Sequence, residues 1–141
     1  MITYGLIASI VLLIYFVITT AVPLAPWNDV SKYSRSELAL ELGFHLIFMP
    51  VAILGIWRNQ PGFLLSFAKI YFTIMFLTEI WVWWVPYFRG AKTVHARYVQ
   101  AKFVHTIKWL PPRADHPIPD ANHCILHLLT FITWVLVSIQ K

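Results

Sequence analysis

Apolar residues dominate the chain in four long runs, broken by short polar stretches rich in proline and asparagine. The first run, from Ile2 to Leu24, carries no charge, and Pro23 and Pro26 close it by removing donors and restricting the residues before them. The second, from Glu37 to Trp57, follows Ser34-Arg35-Ser36-Glu37, which has the spacing of a capping box. Pro50 lies inside it, where neighbouring helices accommodate the missing donor. The third runs from Gly62 to Pro86, after the tight Arg58-Asn59-Gln60-Pro61-Gly62 connection. The fourth runs from Ala121 to Ile139, with Asp120 as its N-cap behind Pro117 and Pro119. Each is close to the ~20 residues that cross a ~30 Å hydrocarbon core. The pattern predicts an all-α integral membrane bundle of four transmembrane helices, at about 2–24, 37–57, 62–86 and 121–139, forming one domain over 1–141. The connection 87–120 is expected to hold an interfacial segment between the third and fourth helices. From Gly90 to Leu110 that segment is predicted as helix without a clean apolar face, and Arg113 to Pro119 as an extended link.

Composition agrees: 59% of the 141 residues are hydrophobic and 12% charged, where a soluble domain carries about a quarter charged. The net charge of +5 is read as the positive excess of cytoplasmic loops and not as a nucleic-acid footprint. Four crossings put Lys32, Arg35, Arg89, Lys92, Arg97, Lys102, Lys108 and Arg113 on one face, against Arg58, Lys69 and Lys141 on the other. Eight against three predicts that the long connections lie in the cytoplasm and both termini outside it. Trp81, Trp83, Trp84 and Tyr87 are expected as half of an aromatic belt at that boundary, with Trp27 and Trp109 nearby and Trp57 at the other face. Membrane lipids are then the first partners, met by Arg89, Lys92, Arg97 and Lys102. The apolar start has no basic n-region, so no cleavable signal peptide is expected. The single cysteine, Cys124, forms no internal disulfide and reads as a small packing residue.

Chemistry, if there is any, sits in the polar residues of the apolar runs, which cost roughly 2.5–3.5 kcal/mol each at a membrane centre. Glu37, Glu41 and His45 follow one another at i, i+4, i+8 on one stripe of the second helix. Glu79 stands in the third, and His123 and His127 share a face of the fourth. At 1.5 Å per residue, His45, Glu79 and His127 lie roughly 10–12 Å from the cytoplasmic ends of their helices, with Glu41 and His123 about half as deep. Matched depths on three helices predict one polar pocket, open toward the cytoplasm and covered by the 88–120 connection.

Such a pocket has two uses. Its carboxylates and imidazoles form a ligand set for zinc, iron or manganese, with His45, Glu79 and His127 innermost and Glu41 and His123 next. Two histidines from different helices also suit a haem. Without metal, the pocket acts on a small hydrophobic or lipid-like ligand, Glu79 as acid and His45 or His127 as base. Whether the chain is an enzyme stays open. The spacing His123-Cys-Ile-Leu-His127 lacks the glutamate of the HExxH zinc-protease motif. The bland alternative is that Glu41 and His45 bond each other or a neighbouring helix. His95, His105 and His116 read as surface or headgroup contacts. Two competing functions remain: an accessory subunit of a larger membrane complex, and a small transporter or proton channel working as a homo-oligomer.

From Glu79 onward the chain resembles a set of small multipass bacterial membrane proteins. The resemblance lies in Glu79-Ile-Trp-Val-Trp-Trp-Val-Pro-Tyr87, Gly90, Leu110-Pro111 and Pro119-Asp-Ala-Asn-His123-Cys-Ile-Leu-His127. It covers less than half of the chain. It implies a bacterial inner membrane and no particular activity.

Overall fold

The computed structural model describes residues 2–91 and 94–140, with the backbone only of residues 2, 95, 96 and 100. Among them, four helical spans are long and apolar enough to cross a membrane: Thr3–Ala21, Arg35–Arg58, Phe63–Arg89 and Ala121–Ser138. No more than a third of any span is buried within the protein. Ile14, Ile47, Ile70 and Leu77 are each about half exposed or more, which only a hydrocarbon solvent makes cheap. The chain is a small all-α, multipass integral membrane protein.

Helix α1 (Ile2–Ala21) stops short of the expected Leu24. Buried Asn28 takes over there: its Nδ2 donates to the carbonyls of Thr19 and Val22, at 2.5 and 2.9 Å, and its Oδ1 accepts from Leu24 N–H. Those carbonyls would otherwise be orphans of the helix end. Helix α2 (Arg35–Arg58) begins on the expected capping box: Ser34 Oγ accepts from Glu37 N–H, and Glu37 Oε2 from Ser34 N–H. It continues through Pro50 and ends at Asn59, whose left-handed φ of 44° turns the chain into the next helix. Gly55 permits that hairpin, because a Cβ there would collide with the backbone of Leu64.

Helix α3 (Phe63–Glu79) widens into a π turn over Ile80–Trp84 and recovers as a short α4 (Val85–Arg89), making one long third span. Helix α6 (Ala121–Ser138) is capped by Asp120, as the sequence predicts. Helices α1, α2, α3 and α6 form a ring in which α1 packs on α2 and α6, and α3 on α2 and α6. One end, here the hairpin face, carries the α2–α3 turn, the start of α1 and the end of α6. The opposite end, the loop face, carries the two long connections.

At the loop face the expected helix of residues 90–110 contracts to α5 (Val94–Phe103). Its inward stripe is the i, i+4 pair Val99 and Phe103, both almost fully buried against Trp83 with Tyr33, Val82 and Trp84. Val94, Val104 and Trp109 point outward, which is why no single apolar face is legible in that stretch. The connection is tied down by Lys102 Nζ on Glu37 Oε1 at 2.6 Å, by Ile107 N–H on Pro26 O, and by Ala121 N–H on Ile107 O. Lys102 also lies over the rings of Tyr33 and Tyr98. Burial raises the Tyr33 hydroxyl well above the ordinary phenol range.

Candidate functional site

Between α2, α3 and α6, in the loop-face half of the bundle, lies a cavity of about 520 Å³. Glu41, His45, Glu79, His123 and His127 all line it. Helical spacing explains the convergence: 41 and 45 repeat at i, i+4 on α2, 123 and 127 on α6, and 79 faces them from the end of α3.

The five do not gather to a point. Among the described residues, no three histidine, cysteine, aspartate or glutamate side chains are grouped closely enough to hold a metal ion. Each is instead engaged along the wall. His45 Nδ1 and the Tyr71 hydroxyl lie 2.6 Å apart, so the imidazole pairs across to α3 and not with Glu41 on its own helix. Glu79, 9% exposed, accepts a 2.8 Å hydrogen bond on Oε1 from Thr130, and its buried Oε2 has no partner. His127, 5% exposed, accepts on Nδ1 from the Trp84 indole N–H at 3.0 Å. An indole only donates, so a neutral His127 carries its proton on Nε2.

His123 is held most completely. The side chain of Asp120, fully buried at the head of α6, accepts on Oδ1 from the His123 backbone N–H at 2.9 Å and lies 2.7 Å from its Nδ1. Burial alone would raise the Asp120 carboxyl. The hydrogen bonds from His123, joined by its charge when the ring is protonated, outweigh it and hold the group below the usual carboxylate range. An ionised carboxylate only accepts, so a neutral His123 carries its proton on Nδ1 and keeps a lone pair on Nε2. The His123 ring lies against Trp83 at a centroid distance of 3.9 Å and against Phe103 at 4.9 Å.

The tryptophans depart from the expected belt. Trp81 is 73% exposed, as a belt residue should be, but Trp83 is buried and lines the cavity, and Trp84 bonds His127. The π turn is the reason. Glu79 and Trp83 share a face by i, i+4 spacing, and one extra residue in the turn brings Trp84 above Glu79 as well. Tyr87 is also buried, donating to Pro111 O at 3.0 Å. His116, half-buried, is also tied to the fold: its Nδ1–H donates to Tyr87 O at 2.8 Å and its ring packs on Gly90. Gly90 has a φ of 82°, and a Cβ would press on that ring, so both conformation and space call for glycine. His105 is exposed, whereas the His95 side chain and Lys92 lie outside the described residues.

The mouth also differs from the expectation. Phe103, Trp83 and His123 close the loop-face end. The exposed lining residues are Glu41, Phe44 and Phe48 on α2 and Ile70, Ile74 and Thr78 on α3. The cavity therefore opens sideways, through a slot between α2 and α3 on the hydrocarbon-facing wall. Its polar groups cluster toward the loop face, and Phe48, Phe67, Ile70 and Ile74 line it toward the bundle middle.

Sequence reading found the five polar residues but missed Asp120 as more than a cap, and missed Tyr71, Trp83, Trp84 and Thr130. Only the His123 spacing three residues after the cap carried a signal for Asp120. Compared with protein-family models, with curated proteins and with solved structures, the chain finds no match in any of the three.

Proposed function

We propose that this small membrane protein binds an amphipathic, lipid-like molecule in the cavity, with access from the hydrocarbon through the slot between α2 and α3. The carrying observation is the cavity itself, about 520 Å³, polar at one end and apolar at the other. Ligand pockets of this kind range over ≈ 300–1,000 Å³ and combine apolar walls with a few placed polar groups. Depth in the bilayer supports the match: the polar end lies near the interface, where a lipid carries its headgroup, and the apolar end near the middle, where it carries its chain. Since the donors are spread along the wall, the reading routes nothing through a metal.

The test is extraction and mass spectrometry of the protein purified in mild detergent, beside a Met75→Trp variant that fills the cavity. A stoichiometric lipid-like species in the parent, absent from the folded variant, is the expected result. Equal and non-stoichiometric lipid in both ends the proposal.

The Asp120–His123 pair favours a second reading, in which the bound molecule is also transformed. A buried carboxylate that fixes an imidazole tautomer is the arrangement that makes its far nitrogen a general base. Lipid extract incubated with the parent and with His123→Gln, then compared by chromatography and mass spectrometry, separates the two readings. Matching profiles leave binding alone. For location, the basic excess of the long connections and the resemblance from Glu79 onward support a bacterial inner membrane with both termini outside the cytoplasm. A fluorescent-protein fusion at Lys141 that lights up in the cytoplasm would reverse that orientation.

A further inference from the structure

Resting on that ligand reading, the charges around the cavity narrow the chemistry of its polar end. We propose that the ligand carries a protonated amine, held at the unpaired Oε2 of Glu79. Two carboxylates, Glu79 and Glu41, line the cavity, and none of its described lining residues is Lys or Arg. Two lysines on flanking elements are committed elsewhere: Lys69 Nζ of α3 donates to Gln140 O at the hairpin face, and Lys102 Nζ of α5 pairs with Glu37.

An anionic headgroup would therefore meet two carboxyl groups with no lysine or arginine to pair with it, which a low-dielectric site punishes. A hydroxyl fits sterically and can share one hydrogen bond with Glu79, without the charge assistance that an ammonium brings. An ammonium group satisfies the orphan directly. Glu79 is 9% exposed, and its Oε1 already takes the Thr130 hydroxyl, so Oε2 is the acceptor left to a ligand. A neutral His123 offers a second acceptor on Nε2. The rings of Phe16, Phe44 and Tyr71 around the same cavity add π-systems that attract a cation. The ligand class is then a single-chain lipophilic amine, its tail running along Phe48, Phe67 and Ile70 toward the bundle middle.

The test uses three probes matched in chain length, dodecylamine, dodecanol and dodecanoic acid, titrated onto the full chain in phosphatidylcholine nanodiscs. Binding is read as the shift in melting temperature, with the Met75→Trp variant subtracting simple partition into the bilayer. In the parent, dodecylamine is expected to bind about tenfold or more tightly than the other two, the size of a hydrogen bond to a charged partner. In Glu79→Gln that preference disappears while dodecanol binding persists. Dodecanol binding as tightly as dodecylamine, or dodecanoic acid binding best, overturns the amine and leaves the amphiphile reading standing. Identical shifts for all probes in the parent and in Met75→Trp overturn both. Should Glu79→Gln fail to fold, the ranking of the three probes on the parent decides, supported by Glu41→Gln at the exposed mouth.

Discussion

Toward the hairpin face, Met49, Ala52, Ile56, Ala68 and Phe72 are fully buried, and α2 meets α3 so closely that Gly55 has no room for a side chain. Toward the loop face, the same helices separate around a cavity lined by two carboxylates and three imidazoles. Lipid gives no hydrophobic drive between helices, so association depends on close packing and on interhelical hydrogen bonds. In the hairpin half the α2–α3 contact takes the first route, with Lys69–Gln140 and Trp134–Thr73 added on the α6 side; the loop half depends on the second, through His45–Tyr71, Thr130–Glu79, Trp84–His127 and Tyr15–Asn122. The division teaches where stability and function reside. A more closely packed half holds the bundle together while the other half tolerates a void and polar groups that packing alone would reject.

This contrast can be broken most severely at its tightest point. Gly55→Leu drives a side chain into the Leu64 backbone and should cost about 3 kcal/mol, the upper end of overpacking penalties. Loss of the folded fraction in detergent, measured by circular dichroism against denaturant, checks it. Phe72→Ala comes next, at about 2 kcal/mol. That is less than the ~3–5 typical of soluble cores, because the lipid reference state removes the transfer contribution and leaves the packing loss.

At the cavity the order inverts. Phe44→Ala, on a side chain 53% exposed at the mouth, should change stability by no more than about 0.5 kcal/mol. It should nevertheless weaken retention of the co-purifying lipid. A large stability loss there would mean that the cavity wall is core after all.

Asp120 sharpens the comparison through pH. Its folded carboxyl lies below the ordinary value of 3.8, so its stabilisation is complete above that value and fades as the pH falls through the lower folded one. The melting temperature of Asp120→Asn should therefore lie below that of the parent at pH 7, with the gap closing only below about the ordinary carboxylate range. The smallest effect is expected at the lid: Lys102→Met removes an ion pair whose Glu37 partner is 41% exposed. It should leave the melting temperature nearly unchanged.

Four spans and two caps were legible before any coordinates, because each depends on residues adjacent along the chain. Continuous apolar runs of about twenty residues, Ser34 with Glu37, and Asp120 ahead of Ala121 act locally. The matched depths of His45, Glu79 and His127 were legible for the same reason, since rise per residue is a property of one helix. Rotation was not. Nothing in Trp81-Val-Trp-Trp says which indole faces inward, because the outcome depends on a π turn that adds one residue to a helical repeat. The lid was half legible: Val99 and Phe103 form an i, i+4 pair, but only Trp83 and Tyr33 on other elements mark it as the inward one.

By itself, then, the sequence determined that this chain belongs in a membrane, how often it crosses, and which polar groups share a depth. These are consequences of composition, length and helical rise. The tertiary structure alone decided that the five groups line one cavity, that they are spread along its wall, and that its mouth faces hydrocarbon between α2 and α3. Those outcomes depend on the order and rotation of helices around the ring, which are fixed by side chains meeting across distances the linear pattern does not encode.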